Sequence, residues 1–144
     1  MKKQLIEFCI NHLNETIEQT RKMSEDIQSQ VNDYGQNKDR YDSFRTKMMR
    51  TKEMYMQQME NAAANIKALS DISIKKTNIV KQGSIVITDK QHFFVGTGIG
   101  KIQFQGVDYF VISMVAPIFR AMKDKRIGDN FVFNNVKHTI KELL

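Results

Sequence analysis

The sequence predicts an α+β protein: an N-terminal antiparallel helical hairpin, of coiled-coil type, followed by a small antiparallel sheet domain with one helix. Three observations predict it. Two long stretches repeat apolar residues at heptad spacing, a short glycine-containing polar link separates them, and from about Thr77 the chain turns to brief runs rich in β-branched and aromatic residues. With 144 residues, 41% of them hydrophobic, the chain has material for one medium domain or two small ones and is too apolar for wholesale disorder.

The first arm is defined by Ile6, Ile10, Leu13, Ile17, Thr20, Ser24, Ile27 and Val31, which follow alternating steps of four and three residues. Only Thr20 and Ser24 in this seam are polar, so the stripe is weakest near its middle. The second arm runs Phe44, Met48, Thr51, Tyr55, Met59, Ala62, Ile66 and Leu69, with an extra four-residue step at Met59 that relaxes the supercoil locally. Seams of similar length joined by a short link fold back on each other, and arms of this length extend roughly 40 Å at 1.5 Å per residue. The second arm also carries a surplus of methionines; Met48 and Met59 belong to its seam, while Met49, Met54 and Met56 are free to face a partner.

After the connector DISIKKTNIVKQG, the stretches SIVIT, HFFVGT, KIQFQ and DYFVISM read as successive antiparallel strands. They are separated by Asp89-Lys90-Gln91, by Gly98 to Gly100 and by Gln105-Gly106-Val107. Pro117 suits the first turn of a short helix and Gly128 suits the turn after it, and FVF and VKHTIKEL add two further strands. The expected division is residues 1–75 for the hairpin, with its charged link near 32–43, and 76–144 for the sheet domain.

Several chemistries are disfavoured. Cys9 is the one cysteine, so neither an intrachain disulfide nor a thiol-rich metal site can form. His12, His92 and His138 have no ligand spacing, so no metal of the protein's own is expected. GTGIG at 96–100 is followed by a strand where a phosphate-cradling loop needs a helix, and it reads as a bend. No window approaches the roughly 20 apolar residues of a membrane span, and Glu7, Asn11, His12 and Asn14 interrupt any signal-peptide core, which makes a cytoplasmic protein the expectation. The net charge of +6 permits contact with nucleic acid or an acidic protein surface and establishes neither.

The link VNDYGQNKDRYDSFR, residues 31–45, gathers Asp33, Asp39 and Asp42 with Lys38, Arg40 and Arg45. Carboxylates in the first turn of the second helix are favoured by its dipole by roughly 0.3 to 1 kcal/mol, which accounts for one or two of the acids. Carboxylates at the end of a rod can also act as oxygen ligands that bring or retain Mg²⁺ at another macromolecule's centre.

The stretch ISMVAPIFRAMKDKRIGDNF resembles the C-terminal signature of the GreA/GreB transcript cleavage factors. Ile112, Ser113, Pro117, Ala121, Lys125, Gly128 and Asp129 match; Ala116 stands where the family has serine before the proline, and Asp124 where it has glycine before Lys125. The resemblance covers nearly the whole chain, because those factors likewise join a coiled-coil hairpin to an FKBP-like domain. It implies docking on bacterial RNA polymerase through Pro117, Arg120, Lys123, Lys125, Arg126 and Asp129. It also implies a coiled coil reaching down the secondary channel, where Asp33, Asp39 and Asp42 help hold a Mg²⁺ shared with the polymerase active centre while backtracked RNA is cut. Cleaving members carry D-x-x-E-N-A-E-Y at the link; here Asp33 and Asn37 fit, Gln36 replaces the glutamate, and one extra residue precedes Tyr41. The implied protein is not itself an enzyme, binds no cofactor stably, meets nascent RNA only indirectly, touches no membrane and is a monomer. The alternatives are a channel-binding regulator without cleavage, a peptidyl-prolyl isomerase, which the absence of tryptophan disfavours, and a coiled-coil adaptor or chaperone, for which an apolar or Met-rich link is expected where this one is charged.

Overall fold

A computed structural model describes residues 1–34 and 43–144. Two helices, α1 (Lys2–Tyr34) and α2 (Ser43–Ser70), form the hairpin. The strands β1 (Ile85–Thr88), β2 (His92–Val95), β3 (Gly100–Phe104) and β4 (Val107–Ile112) precede a short helix α3 (Pro117–Met122), and β5 (Asn130–Phe133) and β6 (Val136–Leu143) close the chain. Each expected strand is present, and the α+β architecture is as the sequence predicts.

The chain divides into two compact units, a hairpin unit of Ile10–Lys67 and a sheet unit of Met1–Cys9 with Ala68–Leu144. Within the hairpin unit the α1 seam is buried or half-buried throughout, including the polar Thr20 and Ser24 at 4% and 7% exposure. In α2 the seam from Met48 to Ile66 is likewise at least half-buried, whereas Phe44 at its start is exposed. Gln28 of α1 accepts a hydrogen bond from the Lys52 ammonium of α2, tying the arms across the seam. The surplus methionines Met49, Met54 and Met56 are exposed, as their off-seam positions require.

In the sheet unit the six strands lie in the order β3-β4-β2-β1-β6-β5. One pairing departs from the antiparallel expectation: β2 and β4 run parallel, with Phe93 opposite Phe110 and Val95 opposite Ile112. The chain leaves β2, passes through the glycine-rich bend to the sheet edge as β3, and returns as β4 beside β2. Two turns are tightened by paired left-handed residues, Gln105-Gly106 (φ 52° and 77°) and Asn134-Asn135 (φ 50° and 64°), the geometry that two-residue hairpins prefer.

Alternation along the strands gives the sheet two apolar faces. On one, Val86, Phe93, Val95, Phe131, Ile140 and Leu143 pack with Phe119 and Met122 of α3. On the other, Phe8 of α1 meets the Phe104 ring at 5.2 Å, and the Tyr109 hydroxyl lies 3.9 Å from the Met1 sulfur. Gly96 is fixed by this packing, because a Cβ there would stand 2.6 Å from Phe94 Cε1 and 3.2 Å from Leu69 Cδ2. The glycine of the bend therefore answers a steric need, and the strand that follows it leaves no helix N-terminus to cradle a phosphate.

Candidate functional site

The residues expected to dock occupy one continuous segment of the sheet unit, α3 and the turn that follows it. Helix α3 starts where Pro117 presets φ at its first position, and Ala116 before it is extended but offers no side-chain cap, so serine at this place would supply a missing acceptor. Phe119 and Met122, three residues apart, anchor the helix in the core and leave Pro117, Arg120 and Lys123 exposed.

The turn is clamped on both sides. Asp124 adopts φ 64°, a left-handed conformation that glycine accepts at no steric cost and aspartate tolerates. Its N–H donates to the Val80 carbonyl at 3.0 Å, and the Val80 N–H donates to the Lys125 carbonyl at 2.9 Å. Further on, the Asp129 carboxylate accepts the Arg126 N–H at 2.8 Å, while the Gly128 N–H donates to the Ile140 carbonyl at 2.8 Å. Asp129 thus holds the backbone of the turn, and the side chains presented to solvent are those of Arg120, Lys123 and Arg126, with Lys125 half-buried. None of these four cations forms an ion pair among the described residues. Met114, Val115 and Ile127, at 46%, 77% and 57% exposure, add apolar surface to the same segment. The sequence reading passed over them; the signal was two large apolar residues directly before Ala116-Pro117, where a turn needs none.

Asp33 is exposed in the last turn of α1, which contains no basic residue, and it forms no ion pair among the described residues. A carboxylate there opposes the negative end of the helix dipole, so its position does not stabilise the helix. Asp39 and Asp42, together with Gln36, lie outside the described residues. Asp33 belongs to the hairpin unit and the Pro117–Asp129 segment to the sheet unit.

The remaining candidates have structural roles. Burial pushes the Cys9 thiol up to about 11, which keeps it protonated and unreactive. His12 is exposed, His92 lies edge-on to Tyr109 at 5.3 Å, and His138 is buried against Phe131 at 4.8 Å, its Nδ1 3.3 Å from Thr88 Oγ1. The Thr88 hydroxyl also accepts the Lys90 and Gln91 N–H groups at 3.1 and 2.9 Å, so it organises the turn beside His138. Among the described residues no group of histidine, cysteine and acidic side chains could hold a metal, and no helix is long and apolar enough to cross a membrane.

No protein-family model matches the chain, and no curated protein is significantly similar to it in sequence. Among solved structures it is similar to the crystal structure of GreA factor homolog 1 (Gfh1) of Thermus thermophilus, with 15% sequence identity, 94% of each chain covered and a TM-score of 0.38.

Proposed function

We propose that this chain is a Gre-like transcription elongation factor that binds bacterial RNA polymerase through its sheet unit and extends its hairpin into the secondary channel. The observation that carries this reading is the Pro117–Asp129 segment, where the residues matching the GreA/GreB signature build a clamped turn whose cations are unpaired among the described residues. The charge distribution supports it. The sheet unit holds 13 basic and seven acidic residues, a net +6, while the hairpin unit holds nine of each. A concentrated positive surface speeds and orients encounter with an acidic rim, and a neutral rod enters a channel without strong attraction to its walls.

In this reading the chemistry belongs to the polymerase. Asp33, Asp39 and Asp42 contribute carboxylate oxygen toward a Mg²⁺ shared with its active centre, and the exposure of Asp33 at an unfavourable helix position supports a role outside the helix itself. The test is a stalled, backtracked complex of the cognate polymerase carrying 5′-labelled RNA. Adding the protein shortens the RNA, and Asp39→Asn with Asp42→Asn cuts that cleavage by at least about tenfold, roughly 1.4 kcal/mol of transition-state stabilisation. The second reading, a blocking regulator, is favoured by Gln36 in place of the family's glutamate. It requires inhibition of elongation that persists in the amide variants, because steric occupancy needs no metal ligation. If wild type neither cleaves nor inhibits, both readings fail.

A further inference from the structure

The charges of α2 are sorted along its length. Residues 45–52 hold Arg45, Lys47, Arg50 and Lys52 and no acid, and residues 53–60 hold Glu53 and Glu60 and no base. This order does not serve the helix itself, because it sets cations toward the positive end of the dipole and leaves the first turn without an acid. Arg45, Met49, Glu53, Met56 and Glu60 recur at steps of four, four, three and four, which puts them on one face. Met49, Met56 and Glu60 each directly follow a seam residue, so this face is turned about 100° from the seam. Met49 and Met56 are 37% and 48% exposed, Glu53 and Glu60 are exposed, and Arg45 is half-buried. Neither glutamate forms an ion pair among the described residues. A hollow of about 370 Å³ opens on this face, lined by Arg45, Thr46, Met49, Arg50 and Glu53. Thr46, Met49, Arg50 and Glu53 stand at i, i+3, i+4 and i+7, the four corners that receive a side chain from a facing helix in coiled-coil packing.

We propose that this face is an interface between two copies of the chain, whose α2 helices pair antiparallel about a twofold axis beside Lys52 and Glu53. About that axis Met49 lies opposite Met56 of the second copy, and Arg45 opposite its Glu60, each pair equidistant from the axis in sequence. The unbranched Met56 side chain enters the hollow around Met49, where its flexibility lets it fill an irregular recess. The charges select both the occupant and its direction. An antiparallel copy lays the basic half of each helix over the acidic half of the other, whereas a parallel copy sets like charge over like. One patch contacting itself is isologous, so assembly closes at the dimer. The paired stretch is only about 24 Å long at 1.5 Å per residue, so the dimer is a weak, exchanging one. It departs from the monomer that the GreA/GreB resemblance implies, and it lies wholly in the hairpin unit.

Sedimentation velocity of the full chain, without polymerase, at concentrations up to about 1 mM tests the pairing. The expected result is a monomer–dimer equilibrium with a dissociation constant below about 1 mM that weakens as salt is added. Arg45→Glu and Glu60→Arg each weaken self-association at least about tenfold, because each sets like charges opposite one another at both ends of the interface. An equimolar mixture of the two variants recovers the dimer, since every acid at position 45 or 60 then faces a base in the other copy. Contacts within one chain that either substitution alters cannot produce that recovery. Adding Met49→Glu, at an exposed position, to the Arg45→Glu chain abolishes it, which separates packing at the hollow from attraction between net charges. A wild-type chain that stays monomeric at about 1 mM, a mixture no more associated than its components, or a recovery that survives Met49→Glu overturns the proposal. Since no polymerase is present, that failure is separate from a failure of the docking reading.

Discussion

Among the described residues, eleven of the twelve largest fully buried side chains lie in the sheet unit and one, Val31, in the hairpin unit. The contrast has a simple origin. A sheet with two apolar faces encloses Phe93, Phe94, Ile85, Met122 and Leu143 on all sides, whereas two helices meeting along one seam leave Ile10, Ile17, Ile27, Met48, Tyr55 and Met59 only half-buried. The net charge divides the same way, +6 in the sheet unit and zero in the hairpin unit. A rigid, charged unit suits the recognition of a partner's surface, and a thin, neutral one suits reach.

The largest effect that sharpens this comparison is in the cores. Phe94→Ala in the sheet unit is expected to cost about 3 to 5 kcal/mol, because the side chain is fully buried. Leu13→Ala in the hairpin seam, with fewer neighbours to lose, is expected to cost about 2 kcal/mol, the low end for such truncations. Denaturant unfolding of each variant measures both, and equal costs would erase the distinction between the units.

A smaller effect runs the other way. Thr20→Val puts an apolar residue of nearly the same shape into the polar centre of the seam and is expected to stabilise the hairpin unit by about 1 kcal/mol. Hydrogen exchange along α1 reads this directly. A loss of protection would show that the Thr20 hydroxyl has a packing role that valine cannot fill.

The smallest effect is linked to pH and belongs to the sheet unit. Burial holds His138 below its ordinary value of 6.5, with Asp89 raising it and Lys90 lowering it by lesser amounts. Below pH 6.5 the unfolded chain takes up the proton before the folded one, so this contribution is present above that value and is lost as the pH falls through the folded value. Melting temperatures between pH 7 and pH 5 are expected to decline, with the decline reduced in His138→Gln. An identical decline in that variant would assign the slope to other groups.

Much of the fold was legible in the sequence because local signals agreed with it. The strand runs, the turn at Gln105-Gly106, Pro117 at the start of α3 and both heptad seams, apart from the exposed Phe44, occupy the places their chemistry demands. The parallel pairing of β2 with β4 was not legible, since Phe93 and Val95 are equally suited to β3 or β4 as neighbours and the choice depends on the path of the 96–99 bend. Nor was the membership of Met1–Cys9 in the sheet unit, because Ile6 continues the seam; Leu5 and Cys9, buried off that seam, were the available signal. At the candidate site, the sequence located the cations of the Pro117–Asp129 segment, but the left-handed backbone at Asp124 and the positioning role of Asp129 required coordinates.

The central claim is that the sheet unit recognises RNA polymerase through the cations around α3. Equilibrium binding of the purified protein to the cognate core polymerase, repeated across salt concentrations, tests it most directly. Wild type is expected to bind, and Arg120→Glu with Arg126→Glu, both at exposed positions, is expected to bind at least about tenfold more weakly and with a shallower salt dependence, while circular dichroism shows the fold intact. No binding by wild type, or equal affinity and salt dependence in the folded double variant, would contradict the account.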